Sequence, residues 1–329
     1  MVNKSSVVDE DSLCKSTIGL LDFHNHSTHS DGGDTPTELV KRAKQAGVSA
    51  MALTDHNIIS GLEEFVAACR QEDIFAIPFG TEICAELPKE IIAATDHAAS
   101  DFIILGKKAK SEPMKDYQAL LLKDRRERYF PQTIEGLTKV GFNFPHLNLY
   151  EMPDSEVISE PKVFCDFIFE GNNLQVLVRY VRSVAPKLTE EEIKKQPIRF
   201  LNRYLYAIGT PAYTKRLEGF NIDSALDLTL SMNCQLFIAH PGGEFGFLSD
   251  RVLEYCIRKK VSGIEVRNYF NTIEQNAKFD RLAKEHQLIR SGGSDCHGDK
   301  GPFKIGIHDR PHNQLPKDIL EELWYSLPN

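Results

Sequence analysis

The stretch Gly19-Leu20-Leu21-Asp22-Phe23-His24-Asn25-His26 decides how the rest of the chain is read. A short apolar run ends in an acid and two imidazoles, as a buried strand does on reaching the rim of a barrel. Residues two apart in extended backbone point the same way, so His24 and His26 can offer nitrogens to one ion. Downstream, Thr35-Pro36-Thr37-Glu38 supplies an N-cap, a proline at the first helical position and a capping-box glutamate. Leu39, Val40, Ala43 and Ala46 form one face of that helix and Gly47 offers a stop. A strand at Ala50-Met51-Ala52-Leu53-Thr54 and a second capping box at Ser60-Gly61-Leu62-Glu63 continue the alternation.

Further strands are expected at Ile74-Phe75-Ala76-Ile77, Phe102-Ile103-Ile104-Leu105, Gln235-Leu236-Phe237-Ile238-Ala239, Gly263-Ile264-Glu265-Val266 and Leu288-Ile289-Arg290-Ser291. Between about Lys107 and Phe220 the alternation lapses into charged, helix-favouring sequence such as Glu190-Glu191-Glu192-Ile193-Lys194-Lys195. Repeated β-α units argue for a parallel sheet covered by helices, and their number fits a barrel better than an open sheet. The expected α/β architecture is a distorted (β/α)7 TIM-like barrel over residues 18–310, interrupted by a mainly helical insertion at 107–220. A loose tail at 1–17 precedes it and a C-terminal segment at 311–329 follows.

Composition narrows the function classes. The 329 residues carry 47 Asp and Glu against 39 Lys and Arg, a net charge of -8, which argues against general coating of nucleic acid. No run of about eighteen apolar residues occurs, and the N-terminus lacks a basic-then-apolar leader, so a cytoplasmic protein without a membrane span is expected. Seven cysteines lie singly, with no Cys-x-x-Cys pair, which disfavours a disulfide framework and a thiolate zinc knuckle.

The informative pattern is where His, Asp and Glu fall along the strands. Asp55-His56 follows the second strand, Gly80-Thr81-Glu82 the third, His240 a later one, and Ser294-Asp295-Cys296-His297 the last. In a β/α barrel these ends converge on one face, where such enzymes place their chemistry. Singly, each group has an ordinary explanation: a surface pair, a helix cap, a tight turn. Together they do not, because so many carboxylates and imidazoles at one face are costly unless coordinated. Mixed nitrogen and oxygen donors suit zinc, manganese or iron rather than calcium. Arg267, two residues after Glu265, is a positional candidate for holding phosphate.

Asp22-Phe23-His24-Asn25-His26-Ser27 with Ser30-Asp31-Gly32, Leu53-Thr54-Asp55-His56-Asn57, Gly80-Thr81-Glu82, Ala239-His240-Pro241-Gly242 and Gly293-Ser294-Asp295-Cys296-His297 together resemble the polymerase and histidinol phosphatase (PHP) domain, a metal-dependent phosphoesterase barrel. The resemblance runs from about Leu20 to Gly306. It implies one metal held by His24, His26, Glu82 and Asp295, and a second by Asp31, His56 and His297. Glu82 would bridge to a third with His240. The family usually places a histidine where this chain has Ile103, leaving Asp101 and His97 as substitutes for that third position. Arg125-Arg126-Glu127-Arg128 and Gly209-Thr210-Pro211-Ala212-Tyr213 resemble the branch acting on nucleotides and short oligonucleotides. Glu160-Pro161-Lys162 stands where that branch tends to have Arg-Pro-His, so Lys162 would keep a phosphate-facing charge.

The resemblance implies two or three divalent ions (zinc, manganese or iron) and hydrolysis of a phosphorylated small molecule, nucleotide or short oligonucleotide by a metal-activated water. The alternatives are a small-metabolite phosphatase like histidinol phosphatase and a metal-binding scaffold without turnover.

Overall fold

Strand and helix alternate from Leu20 to Ala76 and again from Ile222 to Gly293, and the helices of those stretches bury apolar residues. The computed structural model describes residues 19–92, 99–144, 151–159, 167–207, 209–215, 217–242, 248–298, 304–307 and 309–329, so the tail expected at 1–17 lies outside the described residues.

Strand β1 (Leu20–Asp22) leads through α1 (Pro36–Gln45) to the parallel strand β2 (Val48–Met51). The capping box at α1 forms: the Thr35 side chain accepts from the Glu38 N–H, and the Glu38 carboxylate accepts from the Thr35 N–H. Leu39, Val40 and Ala43 are fully buried, each large side chain stabilising by about 1.5–3 kcal/mol. Helix α2 (Leu62–Gln71) departs from expectation, because its N-cap is Gly61 with no side-chain cap. The Ser60 hydroxyl instead bonds Nδ1 of His29 at 2.8 Å.

The third expected strand shrinks to β3 (Phe75–Ala76), and Pro78, which has no N–H for a ladder, separates it from β4 (Phe79–Glu86). Glu82 therefore lies within a strand and not in a loop following one. Strand β5 (Ala99–Gly106) comes next without an intervening described helix, and a strand that returns directly pairs antiparallel.

From 107 to 220 every regular element among the described residues is helical. These are α3 (Glu112–Asp124), a π-helical turn Arg125–Tyr129, α4 (Phe130–Val140), α5 (Asp154–Ser159), a 3-10 turn Phe167–Phe169, α6 (Asn173–Val184), α7 (Glu190–Lys195), α8 (Pro197–Leu201) and a second π-helical turn, Asn202–Tyr206. Their buried apolar residues, Phe130, Leu137, Val157, Leu177 and Leu201 among them, form a cluster distinct from the one around the sheets. The alternation then resumes with α9 (Ile222–Ser231), β6 (Gln235–Ile238), α10 (Asp250–Arg258), β7 (Gly263–Asn268), α11 (Ile273–His286), β8 (Ile289–Gly293) and α12 (Asp318–Ser326).

The strand directions correct the expectation of an all-parallel sheet. The strands lie in two sheets, β1-β2-β3 and β4-β5-β6-β7-β8, with no closed sheet among the described residues. The pairs β4-β5 and β5-β6 are antiparallel, while β6-β7 and β7-β8 are parallel. Beyond the regular ladders the sheets still touch. Phe23 N–H donates to Gly292 O at 3.0 Å and Glu82 N–H to Thr54 O at 3.1 Å, and isolated bridges join Asn25 to Cys296 and His56 to Glu82.

Candidate metal centre

Those bridges bring distant parts of the chain together. Asp22, fully buried, accepts from Ser294 N–H at 2.8 Å, Ser294 Oγ at 2.6 Å and Gly306 N–H at 2.6 Å, which ties the end of β1 to the end of β8. Burial raises its pKa against the pull of those donors. The two segments then run side by side: Asp295 N–H donates to His24 O and His26 N–H to Cys296 O, each at 2.9 Å. A side chain at Gly293 would meet the His24 backbone nitrogen at 2.4 Å, so close approach requires glycine there.

Asp55 organises the next loop. Its carboxylate accepts from Ser27 N–H and Ser27 Oγ, each at 2.7 Å, and from Ser30 Oγ at 2.5 Å. The turn closes with Gly32 N–H on Ser27 O, and Asp31 is carried back over the imidazoles.

At the centre, Nε2 of His24 and Nε2 of His26 are 3.1 Å apart. Glu82 Oε2 lies 3.3 Å from each, and Asp295 Oδ1 lies 3.4 Å from His24 and 3.2 Å from His26. Each carboxylate thus forms a triangle with the two imidazoles whose sides suit donors about 2.0 Å from one zinc ion. Beside it, Asp31 lies 3.2 Å from His297 Nε2, 3.8 Å from His56 Nε2 and 3.8 Å from His26 Nδ1. His26 thus faces both groups, its ring stacked between those of His56 and His297 at 4.4 and 4.3 Å. His24, Glu82 and His240 make a third group that could hold an ion, with His240 Nε2 at 3.0 Å from Glu82 Oε1. Ile103, fully buried, is the cross-strand neighbour of Glu82, and Asp101 Oδ2 lies 3.9 Å from His240 Nε2. His97 and Lys162 are outside the described residues.

The donor set fits a divalent cation. Burial opposes charge on His24, His26 and His240, yet the surrounding carboxylates outweigh it. They hold His24 well above its usual value, His26 up to about 10 and His240 up to about 9. His297 is raised against the same opposition, whereas burial wins at His56 and lowers it. Burial likewise resists ionisation of Glu82, Asp31 and Asp295, and neighbouring imidazoles pull all three below the usual carboxylate range. Nδ1 of His26 and Nδ1 of His240 are buried with no hydrogen-bond partner among the described residues. Two of the candidate ligands are also held in unusual backbone: His240 has φ 26 and Asp295 φ 58, strain of the kind that persists when surrounding structure enforces it.

Two further residues differ from the sequence reading. Arg267 is not brought to the imidazoles: its guanidinium pairs with Asp280 of α11 at 2.7 Å and donates to Val266 O. The register shift between Glu265 and Arg267 removes the two-residue alternation on which the phosphate-facing expectation rested. Glu265 was missed as a site residue. Its carboxylate is fully buried, 3.0 Å from Nδ1 of His24, and accepts the His240 N–H at 2.5 Å. The available signal was an acid inside the apolar run Gly263-Ile264-Glu265-Val266.

Imidazoles and carboxylates converging where strand ends meet are the equipment of a metal-dependent hydrolase. The model of the PHP domain matches residues 22–159 of the chain. The chain is 26% identical to a 3',5'-nucleoside bisphosphate phosphatase of Chromobacterium violaceum, over 93% of this chain and 96% of the relative. It is 27% identical to a 5'-3' exoribonuclease of Haemophilus influenzae, over 87% of this chain and 92% of the relative. A crystal structure from Bifidobacterium adolescentis, provisionally described as a metal-dependent phosphoesterase, superposes with a TM-score of 0.63. It has 20% identity, over 93% of this chain and 95% of that one, and shows the same fold.

Proposed function

We propose that this chain is a metal-dependent phosphoesterase that hydrolyses phosphate esters of nucleotides or short oligonucleotides with water as the nucleophile. The observation that carries the reading is that Glu82 and Asp295 each lie 3.2 to 3.4 Å from Nε2 of His24 and of His26, with Asp31, His56 and His297 alongside. The proposed ligand sets are those two groups, with Glu82 and His240 at a third position. Divalent ions bound there would clamp the phosphate and lower the pKa of the attacking water.

The remaining work falls to the chain itself. Glu82 spans neighbouring positions with its two oxygens, and Asp55 keeps Asp31 over the imidazoles. Cys296, although inside the Ser294-Asp295-Cys296-His297 run, is no nucleophile: burial pushes its thiol up to about 12. The contacts at Phe23–Gly292 and His56–Glu82 support reading the two sheets as parts of one distorted barrel, with 107–220 as its insertion.

The nucleotide preference draws on the bisphosphate phosphatase and exoribonuclease relatives. The test measures inorganic phosphate from a 3',5'-nucleoside bisphosphate, mononucleotides from a short oligonucleotide, and phosphate from histidinol phosphate, each before and after chelation. Chelator-sensitive turnover of a nucleotide substrate is expected. Preference for histidinol phosphate would move the substrate class, and metal retention without turnover of any of the three would leave a metal-binding scaffold.

A further inference from the structure

Glu265 lies on β7 between Ile264 and Val266, all three with no exposed surface. An unsatisfied carboxylate there would cost several kcal/mol, so its partners matter. One oxygen is 3.0 Å from Nδ1 of His24, and the other accepts the backbone N–H of His240 at 2.5 Å. These partners follow the ends of different strands, β1 and β6, and on their far side both present Nε2 to the same residue. His24 Nε2 is 3.3 Å from Glu82 Oε2, and His240 Nε2 is 3.0 Å from Glu82 Oε1. The two rings are near-parallel, 25° between planes and 5.6 Å between centroids.

We infer that Glu265 is a positioning residue that fixes His24 and His240 as a pair, so that both imidazoles present Nε2 to the cation positions flanking Glu82. With its second oxygen occupied by the His240 N–H, Glu265 accepts a proton carried on Nδ1 of His24. The lone pair of His24 Nε2 is then directed between His26, Glu82 and Asp295. The same carboxylate satisfies the N–H of His240, whose φ of 26 lies outside the regions that non-glycine residues favour. An arginine or lysine could not replace it, because both partners donate. A glutamine could accept from one of them only.

The inference rests on the metal-centre reading, and the experiment separates the two. Zinc affinity is measured by competition with a chromophoric chelator for the full-length protein, Glu265→Gln and His24→Ala, and the visible spectrum is recorded for each loaded with cobalt(II). Glu265→Gln is expected to weaken zinc by about 10- to 100-fold and to alter the cobalt bands, as loss of a carboxylate behind a metal-bound imidazole does. If His24→Ala weakens zinc while Glu265→Gln leaves affinity and spectrum unchanged, the role of Glu265 is overturned and the metal centre stands. If neither variant changes zinc binding, the metal centre itself fails. Should Glu265→Gln not fold, nitrogen-15 NMR of the zinc-loaded natural protein decides. Coordination of His24 through Nε2 with a solvent-protected Nδ1 proton supports the pairing, and coordination through Nδ1 overturns it.

Discussion

Glu82 is the side chain on which the ligand groups depend most. Oε2 lies 3.2 to 3.3 Å from nitrogens of His24, His26 and His56, and Oε1 lies 3.0 Å from His240. An amide has one acceptor oxygen and no charge, so Glu82→Gln is expected to lose metal at more than one position. Activity should fall by more than the roughly 10- to 100-fold typical of losing an outer hydrogen-bonding partner. Metal content after gel filtration checks this, and retention of the full complement would show that Glu82 does not bridge. The same residues set an opposite pH response for the metal-free and metal-loaded forms. His26 is raised from 6.5 to about 10 in the folded chain, so its protonation stabilises the metal-free protein fully below pH 6.5, and that contribution is lost as pH rises toward 10. Glu82 is depressed, so its contribution is present above 4.5 and disappears as pH falls through its folded value. Metal needs the imidazoles deprotonated, so stabilisation by added zinc should grow as the metal-free protein weakens from pH 7 to 9. Thermal melts after chelation, with and without zinc, test it; a metal-free melting temperature that rises over that range contradicts the sign.

At the scale of elements, the ladder between β4 and β5 sets which side chains stand beside Glu82. It sets Ile103 opposite Glu82 and Asp101 opposite Cys84, so the position nearest Glu82 offers methyl groups and the carboxylate comes two residues farther along. Ile103→His is therefore expected to raise occupancy beside Glu82 and His240, at a stability cost of about 1–3 kcal/mol if metal does not satisfy the buried ring. Elemental analysis of both proteins checks it. Three tightly held ions already present in the natural protein would mean that residue 103 is irrelevant to the count. Where sequence periodicity is undisturbed, elements were legible: the capping box at Thr35 and the amphipathic face of α1 could be read from residue types alone. The acids and imidazoles were legible because each sits beside an apolar run. Glu265 offered the same signal and was overlooked, whereas the placement of Arg267 was not legible. A register shift in β7 separates Arg267 from Glu265, and whether a strand contains such a bulge depends on its neighbours rather than on its own alternation. The antiparallel course of β5 was hidden too, since a buried apolar run reads alike in either direction.

For the whole molecule, the centre joins what the ladders leave apart. Ligand candidates come from the ends of β1 and β2 in one sheet and from β4, β6 and β8 in the other, so bound metal would fasten both sheets. This dense pocket of charge sits in a chain of net charge -8. A protein that held nucleic acid through many phosphate contacts would lose about 10³- to 10⁵-fold in affinity between 50 and 200 mM salt, because each neutralised phosphate releases counterions. Here the scissile phosphate would be held at short range by ions inside the centre, where screening acts weakly. The long-range field of the chain repels rather than attracts an anionic substrate. The specificity constant for a short oligonucleotide is therefore expected to vary by less than about threefold over that salt range, measured at saturating metal and constant pH. A steep fall, with a log-log slope near that of several released counterions, would reveal a strand-tracking basic groove and shift recognition from the metal centre to the arginines of the helical segment.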